Sequence, residues 1–77
     1  MKIDVKYFGM LTEITNCDTE QWDIELKTIG DLQKLLLDKY PEFKEKDFRF
    51  AQNEELVSLE TPITGKDIAV LPPFAGG

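Results

Sequence analysis

The sequence of 77 residues contains no histidine and a single cysteine, Cys17. The missing histidine excludes Ser-His-Asp and Cys-His catalysis, and every zinc or iron site that has an imidazole ligand. One cysteine forms neither an internal disulfide nor a CxxC pair, so nothing points to an oxidising compartment, and we expect a cytoplasmic protein. Most familiar enzyme chemistries, and a resident metal, are therefore not expected in this chain.

Basic residues are also scarce, because nine lysines and arginines stand against fifteen aspartates and glutamates, a net charge of −6. Proteins that bind nucleic acid need the opposite balance, since they neutralise phosphates. Long apolar runs are missing too: the longest aliphatic run, residues 35–37, is far shorter than the roughly 18 residues of a membrane span. Residues 1–6 alternate apolar with charged side chains, unlike a signal peptide. We expect neither nucleic acid nor a membrane as a partner.

The length and the apolar content favour one small folded domain. A domain typically has about 100 to 200 residues, and a chain this short buries only about 60% of its unfolded surface. It is a poor scaffold for a deep pocket, which needs roughly 300 Å³. A hydrophobic content of 42% is nevertheless enough for a packed core. We expect a module that works with partners and is not an enzyme by itself.

The first part of the chain predicts two strands, because apolar and charged residues alternate there. The apolar sets are Ile3, Val5 and Tyr7 in the first strand, and Trp22, Ile24 and Leu26 in the second. We expect these strands to pair as a hairpin. Their connection, residues 9–20, is too long for a tight turn. It contains three apolar residues that suit one helical turn packed on the sheet: Met10, Leu11 and Ile14.

The period then changes to that of an amphipathic helix. The apolar residues that fall in one arc of this helix are Ile29, Leu32, Leu35, Leu36 and Tyr40. Thr28 is the expected N-cap, and Asp31 in the first turn complements the positive end of the helix dipole. Pro41 should end the helix, because it forces the preceding residue towards extended geometry.

The remaining chain predicts three more strands. The charged connector 44–47 leads into a strand over residues 48–52, and Asn53-Glu54 suits a turn before a strand with Leu56, Val57 and Leu59. The last strand begins with Ile68 and Val70. The order ββαβββ predicts an α+β roll over residues 1–71, with a mixed five-stranded sheet covered on one face by one main helix. We expect residues 72–77 to form an extended tail.

The final residues are the most informative part of the sequence. Pro72-Pro73 stiffens the exit from the last strand into polyproline geometry. Phe74 would be costly in solvent unless a partner's pocket receives it. Gly76 and Gly77 lack Cβ atoms, so this backbone can enter a narrow channel and approach a nucleotide closely. The reactive group would be the Gly77 carboxylate, which becomes an electrophile once it is adenylated.

The whole chain resembles the small subunit of molybdopterin synthase. The resemblance rests on the ββαβββ order, the strand at residues 3–8 followed by Gly9, residues 56–67, and above all residues 72–77. It implies a β-grasp, ubiquitin-like fold and a sulfur carrier. A separate ubiquitin-activating-type adenylyltransferase uses ATP to adenylate the terminal glycine, and a sulfur donor system then converts it into a thiocarboxylate. The carrier itself holds no stably bound cofactor.

The resemblance also implies where the sulfur goes. The thiocarboxylated tail enters the large synthase subunit, which holds the catalytic residues, and donates sulfur to cyclic pyranopterin monophosphate. Two transfers make the dithiolene of molybdopterin, and two small and two large subunits form the enzyme. The residues carried over are Gly77 for the thiocarboxylate, Ala75 and Gly76 for the threaded tail, and Phe8, Leu56 and Leu71 for apolar contacts with partners. Thr12 stands where many relatives have an arginine, so an ion pair between that arginine and a partner is not carried over to this chain.

Several alternatives stay open at this point. The alternatives are a carrier for thiamine thiazole or tRNA thiolation, a ubiquitin-like modifier joined to lysines, and an interaction module with an inert terminus, but Pro72-Pro73 and the long first connection favour the molybdopterin carrier. Phe8, Leu56 and Leu71 are each as consistent with core or edge positions as with a partner contact. A catalytic Cys17 is disfavoured, because no histidine can activate it and its loop is acidic.

Overall fold

A computed structural model describes residues 2–23, 25–64 and 67–73 of the chain. The strands formed by these residues are β1 (Lys2–Tyr7), β2 (Thr19–Asp23), β3 (Arg49–Gln52), β4 (Glu55–Val57) and β5 (Asp67–Leu71). The helices are α1 (Leu11–Thr15), α2 (Ile29–Lys39) and a 3-10 helix, Pro41–Glu45. The order ββαβββ is confirmed, and α1 is the expected helical turn in the first connection.

The five strands form one mixed sheet in the order β2-β1-β5-β3-β4. The two central strands, β1 and β5, run parallel, and the other neighbours are antiparallel. α2 covers one face of this sheet and shares its core. The fold is a β-grasp, ubiquitin-like roll with one main helix, as the sequence predicts.

The core lies between α2 and the inner face of the sheet, where alternate strand residues point. Its fully buried members include Ile3, Val5 and Tyr7 from β1, Ile68 and Val70 from β5, and Ile29, Leu32 and Leu36 from α2. Each such side chain contributes about 1.5 to 3 kcal/mol relative to an exposed position. Leu35, expected in the buried arc, is instead 36% exposed at the margin of the helix, and Tyr40 is half-buried.

Two strand boundaries differ from the sequence prediction. β2 pairs with the whole of β1, from Lys6 opposite Thr19 to Lys2 opposite Asp23. It ends where its partner ends, so Leu26 lies outside the strand, although it packs against the core. Ile24 is outside the described residues. Leu59 is also outside its expected strand, because the chain turns after β4.

Both ends of α2 follow the sequence prediction. The Thr28 hydroxyl accepts from the backbone N–H of Asp31, and the Asp31 carboxylate accepts from the N–H of Thr28, which is a capping box. The backbone N–H groups of Thr28 and Lys27 hold the pKa of the Asp31 carboxyl below its ordinary value. The helix ends at Lys39, immediately before Tyr40 and Pro41.

The turn between β3 and β4 is formed by Asn53 and Glu54, as expected. Their φ angles are 55° and 65°, the pattern of a two-residue hairpin turn whose twist matches that of the strands. Among the helices of the described residues, α2 is the longest with 11 residues, and none is long and apolar enough to cross a bilayer.

Candidate docking face and tail exit

The outer face of the sheet, opposite α2, carries a continuous row of cross-strand neighbours. Lys6 of β1 lies opposite Ala69 of β5, Ala69 opposite Ala51 of β3, and Ala51 opposite Leu56 of β4. Their sequence neighbours Tyr7, Val70 and Phe50 point into the core. Since side chains alternate along a strand, this row must face outwards.

A second row lies beside the first. The N–H of Phe8 donates to the carbonyl of Val70 at 3.2 Å, so the parallel pairing continues past Tyr7 and sets Phe8 beside Leu71. Leu71 in turn lies opposite Arg49. The structure thus brings three residues singled out in the sequence onto one face. We name the set Phe8, Leu71, Ala69, Ala51 and Leu56 the apolar strip.

Large side chains are exposed at both ends of the apolar strip. Phe8 is 44% and Leu56 58% exposed, whereas Leu71 is half-buried. Between them, the small Ala69 and Ala51 side chains form a low floor, which borders a shallow depression of about 350 Å³. The members between Phe8 and Leu56 are the half-buried Leu71 and Ala69 and the buried Ala51. Large apolar side chains exposed on one such face are typical of protein contact sites. Partner binding by Phe8, Leu56 and Leu71 stays a prediction.

The charges beside the apolar strip are basic, although the chain is acidic overall. Lys6 lies next to Ala69, and Arg49 lies next to Leu71. Both side chains are exposed. The next row of β1 and β5, Asp4 opposite Asp67, is acidic.

The tail leaves the sheet beside this face. β5 ends at Leu71, and Pro72, which has no N–H to continue the ladder, is half-buried, while Pro73 is exposed. Gly9 of the β1–α1 turn has a φ of +61°, and a Cβ built there would lie 3.1 Å from Pro72 Cγ. The remaining tail residues, Phe74, Ala75, Gly76 and Gly77, lie outside the described residues.

The sequence does not predict the electrostatic role of Glu20. Its carboxylate accepts hydrogen bonds from the hydroxyls of Tyr7 at 2.8 Å and Tyr40 at 3.0 Å, and it forms an ion pair with Lys39. Burial raises the pKa of the Glu20 carboxyl, but the bond from Lys39 and the nearby donors of Trp22 and the tyrosines outweigh burial and lower the pKa to about 2. Trp22 Nε1 has no partner within hydrogen-bonding distance, so its N–H acts on the Glu20 carboxylate only through its dipole.

This cluster, which we call the Glu20 cluster, joins three elements. Tyr7 is on β1, Glu20 on β2, and Lys39 and Tyr40 at the end of α2. Burial, and then the Glu20 carboxylate, raise the pKa of the Tyr7 hydroxyl, so it stays protonated as a donor. Glu20 is two residues before Trp22, so in a strand both side chains point to the inner face; this spacing is the signal in the sequence that points to Glu20. The arrangement stabilises the fold, and it lies on the side opposite the apolar strip.

Cys17 and the acidic residues form no further site. Cys17 is half-buried, and the hydroxyl of Thr15 donates to its carbonyl oxygen at 2.7 Å. Over residues 2–23, 25–64 and 67–73, no three His, Cys, Asp or Glu side chains are grouped so that they could hold a metal ion.

Comparisons with solved structures agree with the observed fold. Molybdopterin converting factor subunit 1 from Pyrococcus furiosus superposes with a TM-score of 0.86 at 24% identity, over 96% of this chain and 99% of that chain. Small archaeal modifier protein 1 from Methanosarcina acetivorans gives 0.78 at 23% identity, over 99% and 96%. A chain from the complex of subunits 1 and 2 of molybdopterin-converting factor from Helicobacter pylori gives 0.67 at 28% identity, over 100% of both chains.

A family model provides the assignment that fold similarity alone does not. The model of the ThiS family matches residues 5–77. The match covers the last three residues of β1, the apolar strip, the exit at Pro72 and the residues that follow it. This chain therefore belongs to the ThiS family.

Proposed function

We propose that this chain is a sulfur carrier, and specifically the sulfur-donating small subunit of molybdopterin synthase. Membership of the ThiS family supports a carrier. The structural similarity to molybdopterin converting factor subunits from Pyrococcus furiosus and Helicobacter pylori supports the molybdopterin pathway. In this proposal the catalytic residues belong to the large subunit, and this chain supplies the sulfur and the docking surface.

The proposed chemistry takes place at the Gly77 carboxylate. A ubiquitin-activating-type adenylyltransferase joins it to AMP and releases pyrophosphate from ATP. A sulfur donor then displaces AMP, which leaves a thiocarboxylate. In the large subunit, the thiocarboxylate sulfur bonds to a carbon of cyclic pyranopterin monophosphate and displaces an oxygen, and water then cleaves the resulting thioester, which leaves the sulfur on the pterin and regenerates the Gly77 carboxylate; two such transfers make one dithiolene. In this proposal the chain holds no stably bound cofactor, the activating enzyme is the component that uses ATP, and the carrier works in the cytoplasm.

The observation that carries this proposal is the position of the tail exit. The central strand β5 ends at Leu71, within the apolar strip, and the chain continues through Pro72-Pro73 towards Gly77. A partner that covers the strip is therefore already next to the point at which the tail begins. We propose residues 1–71 as the docking domain and residues 72–77 as the reactive tail.

The parts of the tail have different roles in this account. Pro72-Pro73 sets its direction, and Phe74 anchors it in a pocket of the partner, since buried aromatic anchors carry much of the affinity of interfaces. Ala75 and Gly76 pass through a narrow channel that larger side chains would block. Phe8, Leu56 and Leu71 hold the body against the large subunit or the adenylyltransferase.

A second candidate function is supported by the similarity to small archaeal modifier protein 1. A modifier would use the same adenylated Gly77, but a lysine amine of a target protein would displace AMP and form an amide. Carriers for thiamine thiazole or tRNA thiolation would share the thiocarboxylate and differ only in the acceptor. The acceptor, not the activation step, therefore separates these functions.

Reconstitution with purified components tests the proposal. The thiocarboxylated protein is mixed with its cognate large subunit and cyclic pyranopterin monophosphate, and the dithiolene product is measured by chromatography after oxidation. We expect product in proportion to thiocarboxylate consumed, two per dithiolene, and undiminished product from Cys17→Ala. Full consumption of thiocarboxylate without dithiolene would overturn the molybdopterin assignment. Amide-linked adducts in the native host, with no thiocarboxylate, would support the modifier.

A further inference from the structure

Gly9 lies next to Pro72 at the point where the tail leaves the sheet. The parallel register pairs Tyr7 with Val70, and the hydrogen bond from Phe8 to Val70 extends it by one residue. The next pair in this register is Gly9 and Pro72. A Cβ on Gly9 would lie 3.1 Å from Cγ and 3.8 Å from Cδ of the Pro72 ring. Any larger residue at position 9 would force the Pro72 ring to shift by a few tenths of an ångström.

The turn that contains Gly9 is held in place from the other side. The Gly9 carbonyl accepts from the Thr12 backbone N–H at 3.2 Å and from the Thr12 hydroxyl at 2.9 Å. The N–H of Leu11 donates to the carbonyl of Phe8 at 3.2 Å. These hydrogen bonds from Thr12, in α1, restrain the Gly9 carbonyl, so the turn resists displacement when a side chain at position 9 presses on Pro72.

We propose that Gly9 is a positioning residue for the tail: it provides a seat for the Pro72 ring and thereby fixes the direction in which residues after Pro73 leave the body. Thr12 acts with it, because its hydroxyl holds the turn that forms the seat. Proline has a fixed φ, so a displaced Pro72 ring changes the direction in which the backbone enters Pro73. The inference deepens the proposed function and rests on it only for the consequences in sulfur transfer.

Paramagnetic relaxation measurements on the protein alone test the direction of the tail. A nitroxide is attached to Ala75→Cys in a Cys17→Ala background, and the broadening of amide signals across the body is recorded by NMR. In the parent we expect broadening confined to one region beside the exit. Gly9→Ala should shift it to a different set of amides, and Thr12→Val should spread it more widely. Diffuse broadening in the parent, or the same pattern in Gly9→Ala, would overturn the proposal.

Gly30→Ala is the matched control for tight packing. A Cβ on Gly30 would also have a heavy atom at 3.1 Å, in this case the Leu59 carbonyl oxygen. Gly30 is at the start of α2, remote from the exit, so this change should lower stability without moving the tail. If Gly30→Ala alters the broadening pattern as Gly9→Ala does, loss of stability and not the seat explains the effect.

A double-mutant cycle separates the seat from backbone strain at Gly9, whose φ of +61° disfavours any L residue. Gly9→Ala should slow single-turnover sulfur transfer at saturating large subunit about tenfold, since small misplacements of a reacting group are costly. With Pro72→Ala the ring is gone, and adding Gly9→Ala should change the rate less than about twofold. Equal rate losses in both backgrounds would overturn the seat. If the parent accepts no sulfur, the proposed function fails, and the relaxation measurement still decides the tail's direction.

Discussion

Replacing Glu20 with glutamine should make the stability of the fold much less dependent on acid. In the parent, the Glu20 carboxylate is held by two tyrosine hydroxyls and by Lys39, across three elements of the fold. These bonds favour the charged form, and the pKa falls from the ordinary 4.5 to about 2. A glutamine keeps the size of the side chain, but it has no charge to pair with Lys39.

The sign and size of the effect follow from this shift. A carboxyl whose pKa is lower in the folded state contributes stability that is present above its unfolded pKa and lost as pH falls through the folded value. The interval from 4.5 to about 2 sets an upper limit of about 3 kcal/mol. The Lys39 side chain is 52% exposed, so screening by solvent reduces the expected contribution to about 1 to 2 kcal/mol.

Urea unfolding followed by Trp22 fluorescence between pH 7 and pH 2 measures this contribution. At pH 7, Glu20→Gln should unfold about 1 to 2 kcal/mol more easily than the parent, and the two curves should converge as pH falls from about 5 to about 2. Glu45→Gln, which removes the same charge from an exposed site, should run nearly parallel to the parent. A difference between Glu20→Gln and the parent that stays constant over the whole range would refute the reasoning.

Three further predictions concern the partners. Phe8→Ala should weaken binding to the large subunit by about 1 to 2 kcal/mol without unfolding the protein. Leu59→Ala changes an equally exposed residue outside the apolar strip and should leave binding unchanged. Calorimetry of both variants checks this, and equal losses of affinity would contradict a role for the strip. Association should slow as salt rises, because the net charge of −6 attracts the whole chain at long range to partners of net positive charge, although Lys6 and Arg49 beside the strip are basic; stopped-flow rates that do not vary with ionic strength would count against steering. In the tail, Phe74→Ala should cost about 2 kcal/mol of affinity, and normal binding and transfer by this variant would contradict the anchor role of Phe74. Gly76→Val should block turnover with affinity closer to normal, and normal turnover by this variant would contradict the narrow channel.

Local signals in the sequence were sufficient for most of the fold. Strand alternation gave β1 and β5, because both are buried on one face over their whole length. The helix start was readable from Thr28 and Asp31, since a capping box involves only neighbouring residues. The stop at Pro41 and the turn at Asn53-Glu54 depend on backbone preferences of the residues themselves.

The parts that sequence reasoning missed depend on distant partners. The alternation predicts that β2 extends to Leu26, but the strand is Thr19–Asp23, because its bounds are set by the length of β1 and not by its own alternation. Phe43 is fully buried in the 3-10 helix after α2, with its ring 5.2 Å from that of Phe48, yet its neighbours are charged and no period marks it. Gln52 is buried because its amide donates to the Pro62 carbonyl and accepts from the N–H of Thr64, a long-range pairing without a sequence pattern.

The candidate site also has one part that local sequence signals suggest and another that depends on distant partners. The tail is a contiguous motif, so the sequence alone suggests it, and its role stays a prediction. The apolar strip joins residues of three strands, β3, β4 and β5, with Phe8, which follows β1, and only the sheet order makes them neighbours. The seat formed by Gly9 was invisible in the sequence, because it requires the parallel register of β1 and β5. In the sequence, Thr12 is only a departure from the arginine of many relatives; its proposed role rests on the hydrogen bond from its hydroxyl to the Gly9 carbonyl.

Intact-mass analysis of the protein after incubation with ATP, its cognate activating enzyme and a sulfide donor tests the central claim most directly. The account predicts an ATP-dependent mass increase equal to the replacement of one oxygen by sulfur, located at Gly77 by fragmentation, and unchanged in Cys17→Ala. It also predicts that a protein extended by one residue after Gly77 gains no sulfur. No ATP-dependent mass change in the parent, or sulfur located at Cys17, would contradict the account.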